Sequence, residues 1–182
     1  VRSTVTIAGM TGMRVPDARR ATVADVDELV RLRAVMLAGM ADGAPDGGAP
    51  DGGEWRRGSA ATLRTRLAEP DPTLAAFVVD RDGTGALAAC AVGTVELRLG
   101  GPDNPSGRVG HVFNVATDPD RRRRGYSRAC VSALLDWFRA ADVRRIDLRA
   151  SAEGEPLYRS LGFVRTRDPA MRLRGPGAGP PA

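Results

Sequence analysis

The stretch "RVGHVFNVATDPDRRRRGYSRACVSALLDWFRAAD", residues 108–142, changes its hydrophobic period partway along. Before the four arginines the side chains alternate, as in a half-buried strand. After them Cys130, Leu134, Phe138 and Ala141 recur at helical spacing, with Val131 and Leu135 widening the face. A strand, a glycine-containing turn and an amphipathic helix in direct succession restrict the chain to layered folds in which helices cover a sheet.

The rest of the sequence supplies the other pieces. "ARRAT" reads as a short first strand. A helix begins after Thr22, with Asp25 three residues on to complete a capping box, and Val26, Leu29, Val30, Ala34 and Leu37 form its buried stripe. "DGAPDGGAPDGG", residues 42–53, is a near-duplication of Asp, Gly, Ala and Pro that cannot bury anything and is expected to form a surface loop. A second, shorter helix is expected from about Ser59 to Leu67.

Residues 73–99 read as two strands joined by a tight turn at Asp82 to Gly85, residues 100–107 as a loop, and "RVGHVFNVATD" as one continuous strand. "RRIDLRAS" is a further strand. "EPLYRSLGF" holds a short helix, with Pro156 in its first turn and Gly162 at its end. "AMRL" reads as a last strand. The order β-α-α-β-β-β-α-β-α-β predicts an α+β (α/β) fold, a mixed central sheet flanked by helices. Residues 14–174 form the expected domain, between a loose N-terminal tail at 1–13 and a flexible Gly/Pro tail at 175–182.

A chain of 182 residues suits one domain with tails. All 27 basic residues are arginine, and the usage of Ala, Gly and Pro resembles that of a GC-rich bacterial genome. The net charge of +5 favours anionic partners without choosing among them. Cys90 and Cys130 lie far apart in apolar stretches, and the chain has one histidine, so a metal site is not expected; the two thiols read as reduced and buried. No apolar run approaches the roughly 20 residues of a membrane span. The N-terminal residues lack a secretory pattern, which points to the cytoplasm.

The arginine run sits where a strand gives way to a helix N-terminus. Free backbone amides converge there, the helix dipole adds partial positive charge, and Gly125 allows close approach of phosphate oxygens. A nucleic-acid patch would spread its arginines along a face and interleave aromatics, whereas these are compact. Four consecutive side chains cannot all face one ligand, so some of them are solvated.

Arg122, Gly125 and Ser127 resemble the signature Q/R-x-x-G-x-G/A of the GNAT acetyltransferase superfamily, with Ser127 in place of the usual Gly or Ala. "LRASAEGEPLYRSLGF", residues 148–163, is similar to a later part of the same family. The resemblance implies an acetyl-CoA-dependent N-acetyltransferase in which backbone amides from Arg122 to Ser127, Arg123, Arg124 and Tyr126 included, hold the pyrophosphate. It further implies that Asn114, Val115, Ala116 and Thr117 bind pantetheine and thioester, Val115 donating to the oxyanion.

Acyl transfer from a thioester to an amine needs a neutral nucleophile, an oxyanion site and a proton for the departing thiolate. The resemblance assigns the base to His111, with Asp147 or water as alternatives, and the thiolate's proton to Tyr158. Trp55, Met36 and Met40 are candidates for lining an acceptor pocket, ordinary packing being the other reading. The expected acceptor is a primary amine of a small molecule, because "SAEGEPLY" lacks the Asn-containing link of the peptide N-terminus branch. Protein acetylation and a non-catalytic acyl-CoA-binding module are the alternatives. Neither nucleic acid nor membrane is expected as a partner, and the family's frequent dimerisation leaves a homodimer open.

Overall fold

The computed structural model describes residues 17–41, 53–167, 169–171 and 173. The tails expected at 1–13 and 175–182, and the Asp/Gly/Pro loop apart from Gly53, lie outside these residues. Strand β1 (Arg19–Arg20) leads through a 3-10 turn (Val23–Asp25) into helix α1 (Val26–Ala41), followed by α2 (Gly53–Leu67). Then come β2 (Leu74–Asp80), β3 (Leu87–Leu97), β4 (Arg108–Val112), β5 (Ala116–Thr117), α3 (Tyr126–Ala140), β6 (Arg145–Leu148) and α4 (Glu155–Ser160). The sheet runs β1-β2-β3-β4-β6, with β5 also paired to β3; β4 and β6 are parallel and the other pairs antiparallel. This is the mixed, helix-flanked sheet expected from the sequence.

Two apolar clusters sit on opposite faces of the sheet. On one, α3 lays Cys130, Val131, Leu134 and Phe138 against Ala75, Ala89, Ala91 and Val112. On the other, Leu29 and Leu32 of α1 meet Ala76, Val78, Cys90 and Val92. Leu32 is fully buried although the expected stripe omitted it, while Ala34 and Leu37 are only half-buried. The helix divides its apolar residues between two partners, Val26 and Val30 facing Ala60 of α2. The Asp25 carboxylate accepts the Thr22 amide at 2.8 Å and its hydroxyl at 3.1 Å, supplying one arm of the predicted capping box.

Three expectations require correction. Helix α2 begins at Gly53 rather than Ser59. Gly53 and Gly58 are poor helix formers, but packing of Trp55, Leu63 and Leu67 around Val26, Val30 and Ala60 outweighs their propensity. The strand read as continuous from residue 108 is broken in two. Val112 pairs with Gly93 and Ala116 with Cys90, so four steps on one strand match three on β3, and the extra residue makes a bulge at Asn114, whose φ is 45°. The last strand, "AMRL", is not formed at Ala170, Met171 or Leu173. The chain leaving α4 is tied back to that helix instead of lying along β6, through Arg165 and Glu155 at 2.6 Å and 2.8 Å.

Candidate active site

The turn after β5 is anchored before it begins to curve. Asp118 is buried, its amide donates to Ala88 O at 2.9 Å, and its carboxylate takes a two-pronged contact from Arg31 of α1 at 2.7 Å and 3.1 Å. Arg31 also donates to Leu87 O and is held by Glu28, which accepts the Leu87 amide at 2.9 Å. Hydrogen bonding to Asp118, then to Glu28, raises the affinity of the Arg31 guanidinium for its proton against the opposing effect of burial. Arg81 spans Asp118 and Asp120. None of these residues was a sequence candidate; the only local signal was an acidic residue ahead of Pro119 at a strand end.

Beyond this anchor the backbone makes a cradle. Arg123 and Gly125 have φ of 62° and 81°, the latter at the N-cap of α3, where glycine adopts the left-handed region without strain. The first hydrogen bond back to this turn is from Ala129 to Gly125 O, at 3.0 Å. Among the described residues the amides from Arg123 to Arg128 find no acceptor. Six donors around a left-handed glycine at a helix start suit a pyrophosphate. Ser127 has a role of its own, since its hydroxyl lies 2.6 Å from that of Thr117 and joins the helix start to β5.

The arginine side chains divide. Arg121 reaches toward Asp120, Arg122 extends toward Gly39 of α1, and Arg123 and Arg124 are exposed without an ion pair to any described residue.

The bulge separates β5 from β6, which pairs only with residues 109–112. The amides of Asn114 and Val115 have no acceptor among the described residues, although Phe113 on one side and Asp118 on the other are bonded to β3. Asn114 is buried with Oδ1 unpartnered and Nδ2 3.7 Å from Cys90 Sγ. The break thus leaves two backbone donors unpaired between the cradle and the middle of the sheet.

His111 and Asp147 are register partners on β4 and β6. The neighbours of each, Gly110 with Val112 and Ile146 with Leu148, face the α3 side, so His111 and Asp147 project from the opposite face. His111 is half-buried, its ring lying nearly parallel to that of Phe113 with centroids 6.2 Å apart. Asp147 has Arg145 at 3.4 Å. Tyr158 packs with the α3-side cluster, edge-on to Phe163 at 5.9 Å, and burial pushes its phenol up from the ordinary value. Its hydroxyl makes no hydrogen bond to a described residue. Base and acid candidates therefore stand on opposite faces, with the broken strand between them. Of the acceptor-pocket candidates, Trp55 and Met36 belong to the helix packing and Met40 is exposed.

The acetyltransferase (GNAT) family model matches residues 45–163, about two thirds of the chain. The chain belongs to the GNAT family. A mycothiol acetyltransferase from Clavibacter michiganensis subsp. michiganensis is 32% identical over 158 residues, 84% of this chain and 43% of that protein. A ribosomal protein bS18-alanine N-acetyltransferase from Escherichia coli strain K12 is 42% identical over 55 residues, 29% of this chain and 37% of that one. The chain spans less than half the length of either curated relative. A predicted acetyltransferase with acetyl-CoA from Clostridium acetobutylicum shares the fold at a TM-score of 0.72 and 22% identity, covering 87% of this chain and 95% of that chain. On this GNAT chain, Gly125 and Ser127 of the signature fall on the amide cradle and its helix start, while Arg122 lies just ahead of it with its amide bonded to Pro119 O at 3.5 Å.

Proposed function

We propose that the protein transfers the acetyl group of acetyl-CoA to the primary amine of a small molecule, by direct attack within a ternary complex in the bacterial cytoplasm. The observation that carries this reading is the row of unpartnered amides from Arg123 to Arg128 around left-handed Gly125, continued by those of Asn114 and Val115. Acetyl-CoA supplies the activated thioester. Cradle amides hold its pyrophosphate, and the exposed guanidiniums of Arg123 and Arg124 add charge for its phosphates. The Val115 amide donates to the developing oxyanion, His111 takes the ammonium proton, and Tyr158 donates to the departing thiolate.

A second reading, acetylation of a protein α-amine, is favoured by the bS18-alanine acetyltransferase match, confined to 55 residues. The longer match is to a mycothiol acetyltransferase, whose named substrate is a small molecule. Calorimetric titration with acetyl-CoA tests the cradle. Gly125→Asp should abolish binding through an added side chain and a like charge, and Arg124→Ala should weaken it only a few-fold. Equal affinity in Gly125→Asp and the parent would remove the reading. Release of free thiol with amines and peptides as acceptors separates the two substrate classes.

A further inference from the structure

The sheet face that carries His111 has an ordered charge pattern beyond it. Directly across from His111 stand Thr94 on β3 and Asp147 on β6. The next row outward is Glu96, Val109 and Arg145, and just past the end of β3 is Arg98. The carboxylates thus lie beside or diagonal to His111, and the guanidiniums lie toward the far end. Arg98 donates Nε and Nη2 to Glu96 Oε2 at 3.2 Å and 2.8 Å, and Arg145 Nε is 3.4 Å from Asp147. Each arginine keeps donors that no described residue takes.

Both arginines line a cavity of about 240 Å³ with Val109, Asn104 and Asp103. Asp103 is the single carboxylate in that lining, and the partners of the two arginines, Glu96 and Asp147, stand outside it. Ligand pockets commonly run from about 300 Å³ upward. A cavity this small suits one end of a small molecule.

Resting on the acetyltransferase reading above, we propose that the acceptor is a small zwitterion: its amine sits at His111 between Asp147 and Glu96, and its carboxylate lies in the cavity between Arg98 and Arg145. Two residues of strand separate the His111 row from that of Arg145, and four separate it from Arg98, about 7 to 13 Å at roughly 3.3 Å per residue. That spacing matches an ω-amino acid, or a dipeptide-sized molecule with its amine and carboxylate at opposite ends. The guanidinium forks fit a planar carboxylate in two-pronged fashion. Acidic side chains near the reacting end attract the ammonium form, from which His111 removes the proton before attack.

The test compares 6-aminohexanoate with hexylamine, which has the same chain and no carboxylate, in two measurements on the full chain. Calorimetry on the CoA-loaded protein should show 6-aminohexanoate binding at least tenfold more tightly than hexylamine. Arg98→Ala and Arg145→Ala should each reduce that preference severalfold while acetyl-CoA affinity and Tm stay unchanged, since both side chains are more than half exposed. Equal binding of the two ligands, no binding of either, or a preference untouched by both substitutions would overturn the proposal. Thiol release is the second measurement. Preferential binding without acetyl transfer would overturn the catalytic reading and leave the zwitterion site standing, whereas equal turnover of both amines would do the reverse.

Discussion

At the scale of single residues, the two proton-handling candidates differ in how they should fail. His111→Ala should lower kcat/KM by about 10²- to 10⁴-fold, with partial recovery when the amine is supplied at a pH where less of it is charged. Tyr158→Phe should depress kcat and leave acetyl-CoA affinity nearly unchanged, because the ring still packs against Phe163. Burial raises the Tyr158 phenol above its ordinary value of about 10, so the group stays protonated through the neutral range and can donate. The alkaline limb of kcat should therefore lie above 10 and vanish in Tyr158→Phe. Full pH–rate profiles for the parent and both variants check this; a His111→Ala enzyme with an unaltered profile returns that residue to packing and moves the base to water or Asp147.

At the scale of elements, the position of β4 depends on a ring. Phe138 is fully buried against bare backbone on two strands: a Cβ added at Gly93 would come within 2.7 Å of Phe138 Cζ, and one at Gly110 within 2.9 Å of Cε1. Gly110→Ala should destabilise the fold by about 1–3 kcal/mol, as overpacking does. Combining it with Phe138→Leu should cost less than the two changes summed, which urea melts in a double-mutant cycle will show. Such tertiary fits explain what the sequence conveyed and what it did not. The helical face of Cys130, Leu134 and Phe138 and the glycine turn ahead of it are local patterns, and they were legible. So was most of the candidate cradle, because its amides are consecutive, although the unpaired run is shifted by one from the expected Arg122 to Ser127, the Arg122 amide being bonded to Pro119 O. The bulge at Asn114 was not legible, since alternation passes through it unbroken and only pairing with β3 reveals the extra residue. The start of α2 was hidden by its own glycines. The Arg31–Asp118 contact joins residues 87 apart in sequence and left no local trace.

At the scale of the whole molecule, the two thiols report on the integrity of both faces. Burial pushes the Cys90 thiol up to about 12 and the Cys130 thiol in the same direction, from an ordinary value of about 9. A raised folded-state value means that the stability contributed is complete below about 9 and is lost as pH climbs toward 12. Urea midpoints should fall across that window, with the Tyr158 phenol adding to the loss, and the fall should be shallower in Cys90→Ala. An equally steep fall in that variant would assign the alkaline loss elsewhere. Strand β3 stands between these faces, paired with β2 on one side and with β4 and β5 on the other. Its Ala89 and Ala91 belong to the α3 cluster, and its Leu87, Cys90 and Val92 to the α1 cluster. One inserted or deleted residue there would exchange the two sets and spoil both cores at once. Insertions and deletions should therefore be tolerated in the connections around β3 and not within it, and the strand that holds both faces in register can change in composition more readily than in length.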